Sequence, residues 1–227
     1  MRSNNPSTST SSEQLEQLEN RTHPDYVSQA GAKRMRATGT IGFSFRERMA
    51  GPLAAGTDDP VLGAARGRAA RTQFVADLRV TIDDLAACIR DPQHPTRLQG
   101  TATFPGLASA RPLHDGQLLL YVADPVNGTK LMRYRFGFRG DDGAEYFLDG
   151  SKVLHTPAAP TREQTTLYAR VHAGDQHGPV WGSGVLVFRL RDVPAFVWSM
   201  RAVGVSRFEG LRRFLGFARR ELAQPVG

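Results

Sequence analysis

Glu47 and Lys152 both fall on strand faces that are otherwise apolar. In "FSFRERMAG" Glu47 alternates with Phe45 and Met49, and in "EYFLDGSKVL" Lys152 shares its parity with Tyr146, Leu148 and Leu154. Alternate residues of a strand point to one face, so both charges are expected toward the core. A buried charge without a partner is costly, so an inward Lys152 needs a carboxylate or an anionic ligand. Glu47 is the natural carboxylate. Such a pair could act as acid and base in an apolar cavity, anchor a ligand, or serve only to specify packing. Two outward readings of Lys152 stay open: its stem could snorkel to solvent from a strand end, or a bulge at Gly150 could turn it out.

The neighbouring stretch "KLMRYRFGFRG" places Met132, Tyr134, Phe136 and Phe138 on one face and Arg133, Arg135 and Arg139 on the other. The candidate ligand-binding set is therefore Glu47, Tyr134, Phe136, Tyr146 and Lys152, together with Tyr168 from "TTLYARV". No residue is assigned a catalytic or metal-binding role. A Gly-x-Gly-x-x-Gly opening a helix is absent, so no flavin or dinucleotide cofactor is expected. "GSG" at 182–184 lacks the spacing of a nucleophile elbow and reads as a place of close backbone approach. "HAGDQH" at 172–177 has two histidines and a carboxylate, but a hairpin turn accounts for them without a metal. The single Cys88, in "DDLAACI", excludes an internal disulfide and reads as a small buried thiol on a helix.

These side chains need strands to carry them. Period-two segments with turn chemistry between them predict strands at about 38–49, 70–82, 97–104, 117–123, 130–139, 144–154, 164–173 and 180–191. Short helices are expected at about 83–90 and 192–202, and a longer amphipathic one at about 206–222. The fold class is mainly β, with about eight antiparallel strands in a barrel or a two-sheet sandwich. In the last helix Phe208, Leu211, Phe214, Leu215, Ala218 and Leu222 form a stripe flanked by arginines. Packing against the β-structure is the favoured reading, and contact with a membrane surface the alternative. "ADLRVTIDDLAACI" and "VLVFRLRDVPAFVW" superimpose at an offset of 108 residues, with Asp84 and Asp192 each placed to cap a helix. Fusion of two related halves and similar capping rules on unrelated strands both account for that match.

Residues 1–36 are rich in Ser, Thr, Asn, Gln and charge and are expected to be a disordered tail. Residues 37–227 are expected to form a single β-rich domain. The formal charge is +7, and 29 basic residues less three lysines leaves 26 arginines. They are scattered along strands, unlike the clustered patch of a nucleic-acid binder, so nucleic acid is not expected as a partner. With no secretory h-region and no long apolar run, a cytoplasmic protein is expected.

"FRERMAG", "LRVTIDDL", "LQGT", "LMRYRFGF", "YFLDGSKVL", "TTLY" and "GVLVFRLRDV" occur in this order over about residues 40–217. In this they resemble the accessory region found with sterol-oxidase-type members of the glucose–methanol–choline oxidoreductases, particularly in actinobacterial multidomain chains. The flavin-binding motif of the oxidoreductase is missing, so its chemistry carries over to no residue. Ser151 also stands where the relatives usually have an aromatic residue. The resemblance implies a stand-alone, non-catalytic module that binds an apolar lipid- or sterol-like molecule or assists a lipid-active oxidoreductase partner. The alternatives are a small enzyme using Glu47 and Lys152, and an interaction protein using its basic terminal helix.

Overall fold

The computed structural model describes residues 39–154, 165–189 and 192–224. The expected tail over residues 1–36 lies outside the described residues, as do Leu190 and Arg191. The described strands are β1 (Gly42–Ala55), β2 (Gln73–Ile82), β3 (Pro95–Phe104), β4 (Ala108–Asp124), β5 (Thr129–Arg139), β6 (Glu145–Leu154), β7 (Thr166–Ala173), β8 (Val180–Phe188) and β9 (Arg201–Val203). The helices are α1 (Pro60–Ala70), α2 (Leu85–Arg90), α3 (Val193–Ser199) and the C-terminal α4 (Arg207–Ala223). Strands β1 to β8 pair antiparallel in sequence order, and β1 pairs with both β2 and β8. The sheet therefore closes into an eight-stranded barrel. Closure removes the edges that a sandwich would leave exposed.

Alternation decides which residues fill the barrel. On β5, Tyr134, Phe136 and Phe138 are buried, while Arg133, Arg135 and Arg139 face out and meet Asp149 and Glu145 of β6. The β5–β6 register runs without a shift from Lys130↔Leu154 to Arg139↔Glu145. Gly150 therefore forms no bulge, and Lys152 keeps the inward parity of Tyr146 and Leu148.

Strand β4 departs from the expected 117–123: it starts at Ala108 and runs for 17 residues. Ala110, Asp115 and Tyr121 are left-handed, with φ of 51°, 49° and 53°. Register shifts against β3 and β5 break the same strand. Each bulge resets the parity, so period two fades from the sequence although pairing continues.

Helix α1 occupies a stretch that alternation alone reads as a long turn. Asp59 accepts hydrogen bonds from the Val61 and Leu62 amides, and Pro60 opens the helix. That Asp-Pro pair is a helix-start signal. The helix lies close on the wall through Gly63 and Gly67. A Cβ at Gly63 would stand 2.1 Å from the Ser183 carbonyl oxygen, and one at Gly67 2.5 Å from the Leu53 amide nitrogen. "GSG" at 182–184 is thus a place of close backbone approach, as expected.

The two aspartates placed to cap helices behave differently. Asp84 accepts from the Ala87 amide at 3.0 Å. Asp192 stands at the N-cap of α3 with φ −88° and ψ −6° and makes no side-chain capping bond. Pro194, second in that helix, has no N–H to offer. The helix also stops at Ser199, short of the expected 202, because Arg201–Val203 pair with Gly42–Ser44 as β9. Asp84→Ala is expected to cost about 0.5–2 kcal/mol in urea unfolding, with Asp84→Ser regaining most of it. No loss with alanine would show that the cap contributes nothing.

Candidate functional site

Three of the expected residues meet inside the barrel. Glu47 comes from β1, Tyr134 from β5 and Lys152 from β6. Lys152 Nζ donates to Glu47 Oε1, and Tyr134 Oη donates to Glu47 Oε2 at 2.9 Å. The ammonium also lies 4.8 Å from the centroid of the Tyr134 ring. Glu47 is 8% exposed, Lys152 4% and Tyr134 0%, so the pairing is interior. Burial, and then the Glu47 carboxylate beside it, pushes the Tyr134 phenol well above its usual range.

In a closed ring of eight, β1 and β5 are four strands apart in either direction. The Glu47–Tyr134 bond therefore spans the lumen. An eight-stranded barrel is just wide enough to be filled by side chains or to hold one small ligand. At this level side chains fill it. Both Glu47 oxygens are engaged, which leaves the cluster as an internal tie.

The other expected residues lie elsewhere. Phe136 is in the apolar filling. Tyr146 stacks on Phe138 with centroids 5.6 Å apart and donates its hydroxyl to Asp142 in the β5–β6 turn. Tyr168 does not join the interior residues: it is 41% exposed on the outside of β7, because Leu167, Ala169 and Val171 take the buried positions around it. The hairpin from 172 to 177 holds no metal cluster among the described residues. Cys88 is buried on α2, and burial, with Asp91 and Asp84 nearby, pushes its thiol up to about 11.

A second internal ion pair was not anticipated. Lys130, at the start of β5, donates to Glu221 Oε2 of α4 at 2.9 Å, and His94 Nε2 lies 3.5 Å from the same oxygen. Burial alone would raise the Glu221 carboxyl, but Lys130 and His94 outweigh it and hold the group below the usual range. Lys130 shares its parity with Met132 and Tyr134, which was a readable sign. Its partner is 91 residues away and was not readable.

Helix α4 closes this end of the barrel. Phe214 stacks on Phe43 at 4.6 Å, and Phe217 meets His94 at 4.9 Å and Tyr121 at 5.4 Å, both edge-on. The expected stripe is rotated: Gly210, Phe214 and Phe217 are buried, while Phe208 and Leu215 are 78% and 52% exposed.

A further concavity lies beside α3. Strand β1 pairs with β9 through Ser44 and with β8 from Met49, and among the described residues no ladder is formed on that edge between them. Helix α3 covers the gap. Ser199 Oγ accepts from the Arg46 amide at 2.8 Å, and Phe196 reaches Phe45 at 5.1 Å and Phe188 at 5.5 Å. Beside it is a groove of about 810 Å³. Phe45, Phe188, Phe196 and Trp198 supply apolar lining, and Arg46, Arg48, Arg79 and Arg201 supply cations. Arg46 and Arg79 are direct cross-strand partners, a like-charge pairing that disfavours the sheet by itself. Asp77 and Asp192 also line the groove, and Arg48 lies 3.5 Å from Asp77. Of the expected site residues only Glu47 lines it.

Against known proteins, the chain matches no family model, no curated protein and no solved structure. The likeness to an oxidoreductase accessory region thus rests on the short sequence motifs that suggested it.

Proposed function

We propose that this protein is a non-catalytic binding module for an apolar small molecule with an acidic head group, held in the groove beside α3. The observation that carries the reading is the cross-strand Arg46–Arg79 pair among the residues that line an aromatic groove. A carboxylate or phosphate head relieves that repulsion and takes charge-assisted hydrogen bonds from both guanidiniums. The tail lies over Phe188, Phe196 and Trp198. The groove volume, about 810 Å³, is in the range of small-molecule sites. In the interior cluster each Glu47 oxygen already accepts a hydrogen bond, from Lys152 or Tyr134, and the groove is the more open of the two sites. The sequence resemblance adds a partner class, a lipid-active oxidoreductase that draws on the same amphiphile.

The test is titration of a brominated long-chain fatty acid, below its micelle concentration, against tryptophan fluorescence. Quenching is expected, and it should be lost in Trp198→Phe, because Trp198 lines the groove and Trp181 does not. Arg46→Gln with Arg79→Gln should weaken binding at least about tenfold, the scale of a lost charge-assisted contact. Binding that the double variant leaves unchanged would reject the arginine-read head group.

A further inference from the structure

We infer that α3, β9 and the first turn of α4 form a face that docks on an anionic lipid surface. Three observations point there together.

The first is exposed apolar area. Trp198 is 72% exposed, Phe208 78%, Val197 44%, Val203 43% and Val193 38%. All five lie within sixteen consecutive residues, 193–208. Single exposed hydrophobic residues are ordinary, but a group of them gathered in so short a stretch suggests an interaction surface.

The second is that this face is held together. Arg207 packs its guanidinium 5.4 Å from the Trp198 ring centroid and donates to the carbonyls of Val197 and Trp198 at 2.8 and 3.2 Å. Arg201 donates to the Trp198 carbonyl at 2.6 Å. The end of α3 and the start of α4 are therefore one unit, with tryptophan and arginine side by side. That pairing suits the lipid headgroup region, where an indole sits at the apolar boundary and guanidinium stems snorkel toward phosphate.

The third is charge. From 193 to 224 the chain carries six arginines (201, 207, 212, 213, 219 and 220) and two acidic residues, Glu209 and Glu221. Glu209 is already bonded by Arg212 at 2.9 Å and Arg213 at 2.6 Å, and Glu221 is taken inward by Lys130. The outward charge of the region is positive, which complements phosphatidylglycerol or phosphatidylserine and not a neutral bilayer. Among the described residues no helix is long and apolar enough to cross a membrane, so the contact is peripheral.

This inference goes beyond the groove reading and does not need the groove to be occupied, so either can fail alone. Trp198 belongs to both the groove lining and the docking face, which would open the groove beside the lipid.

The experiment is co-sedimentation of the full chain with vesicles of phosphatidylcholine alone or of phosphatidylcholine with phosphatidylglycerol. Binding is expected to the mixed vesicles only, with a blue shift of tryptophan emission, and high salt should release it. Trp198→Ala with Phe208→Ala should reduce partitioning about tenfold or more through lost apolar insertion. Both side chains are exposed, so the double variant should keep the wild-type melting temperature. No binding to the mixed vesicles, or binding that the double variant leaves intact, overturns the inference. Binding to soluble polyglutamate with none to vesicles would assign the face to an acidic protein and overturn it equally.

Discussion

Lys152→Met alone, or Glu47→Leu alone, should cost about 3–5 kcal/mol of stability, because each strands the other's charge inside the barrel. Both residues are nearly inaccessible, so water offers little relief to the charge left behind. The combined Lys152→Met, Glu47→Leu chain should recover much of that loss, since apolar residues of similar size then fill the lumen. Tyr134 would lose its acceptor in the double variant, so recovery should be incomplete unless Tyr134→Phe is added. Guanidinium unfolding of the four chains measures this directly. A single Lys152→Met within about 0.5 kcal/mol of wild type, the range of ordinary surface changes, would mean that the lysine is solvated. Fatty-acid binding should survive in the double variant, because the proposed anchor is the arginine pair of the groove. Loss of binding with restored stability would move the anchor to the lumen.

Phe217→Ala should cost a similar amount, about 3–5 kcal/mol, as expected for a large aromatic removed from a packed site. The ring is 0% exposed and wedged between His94, Tyr121 and Phe214. Phe208→Ala, one face round on the same helix, should cost close to nothing. The contrast tests whether α4 plugs the barrel or lies free. If both changes are silent, the helix is not docked. Acid should loosen the same contact. Lys130 and His94 hold the Glu221 carboxyl below its ordinary range, so the pairing contributes stability above the unfolded-state pKa and loses it as pH falls through the lower folded-state value. The groups facing that carboxylate are Lys130 from β5, His94 from the turn before β3 and Tyr121 from β4. Hydrogen exchange of α4 amides, followed as pH falls, should show protection lost in wild type before the barrel unfolds. A Glu221→Gln chain should lack that acid step.

The eight barrel strands, most of their inward faces and the burial of Glu47 and Lys152 were legible in the sequence by itself, whereas β9 fell where a helix was expected. Alternation is a local property: "MRYRFGF" separates arginines from aromatics whatever the chain pairs with. The same locality explains the misses. Bulges hid the first half of β4 by resetting its parity, and α1 lies outside any period-two run, its start marked only by Asp59-Pro60. Other features were decided only by the tertiary structure. Closure of β1 on both β2 and β8 made the fold a barrel instead of a sandwich. Closure also set Glu47 opposite Tyr134 across the lumen, where the two hydrogen-bond. The groove lies where β8 and β9 share one edge of β1 and where, among the described residues, α3 covers a gap between them. No single strand encodes that gap. The helix stripe likewise marked α4 as amphipathic, but only docking against Phe43, His94 and Tyr121 selected Phe214 and Phe217 for burial and left Phe208 outside. Periodicity is written into neighbouring residues, whereas opposition across a closed wall depends on partners scores of residues apart.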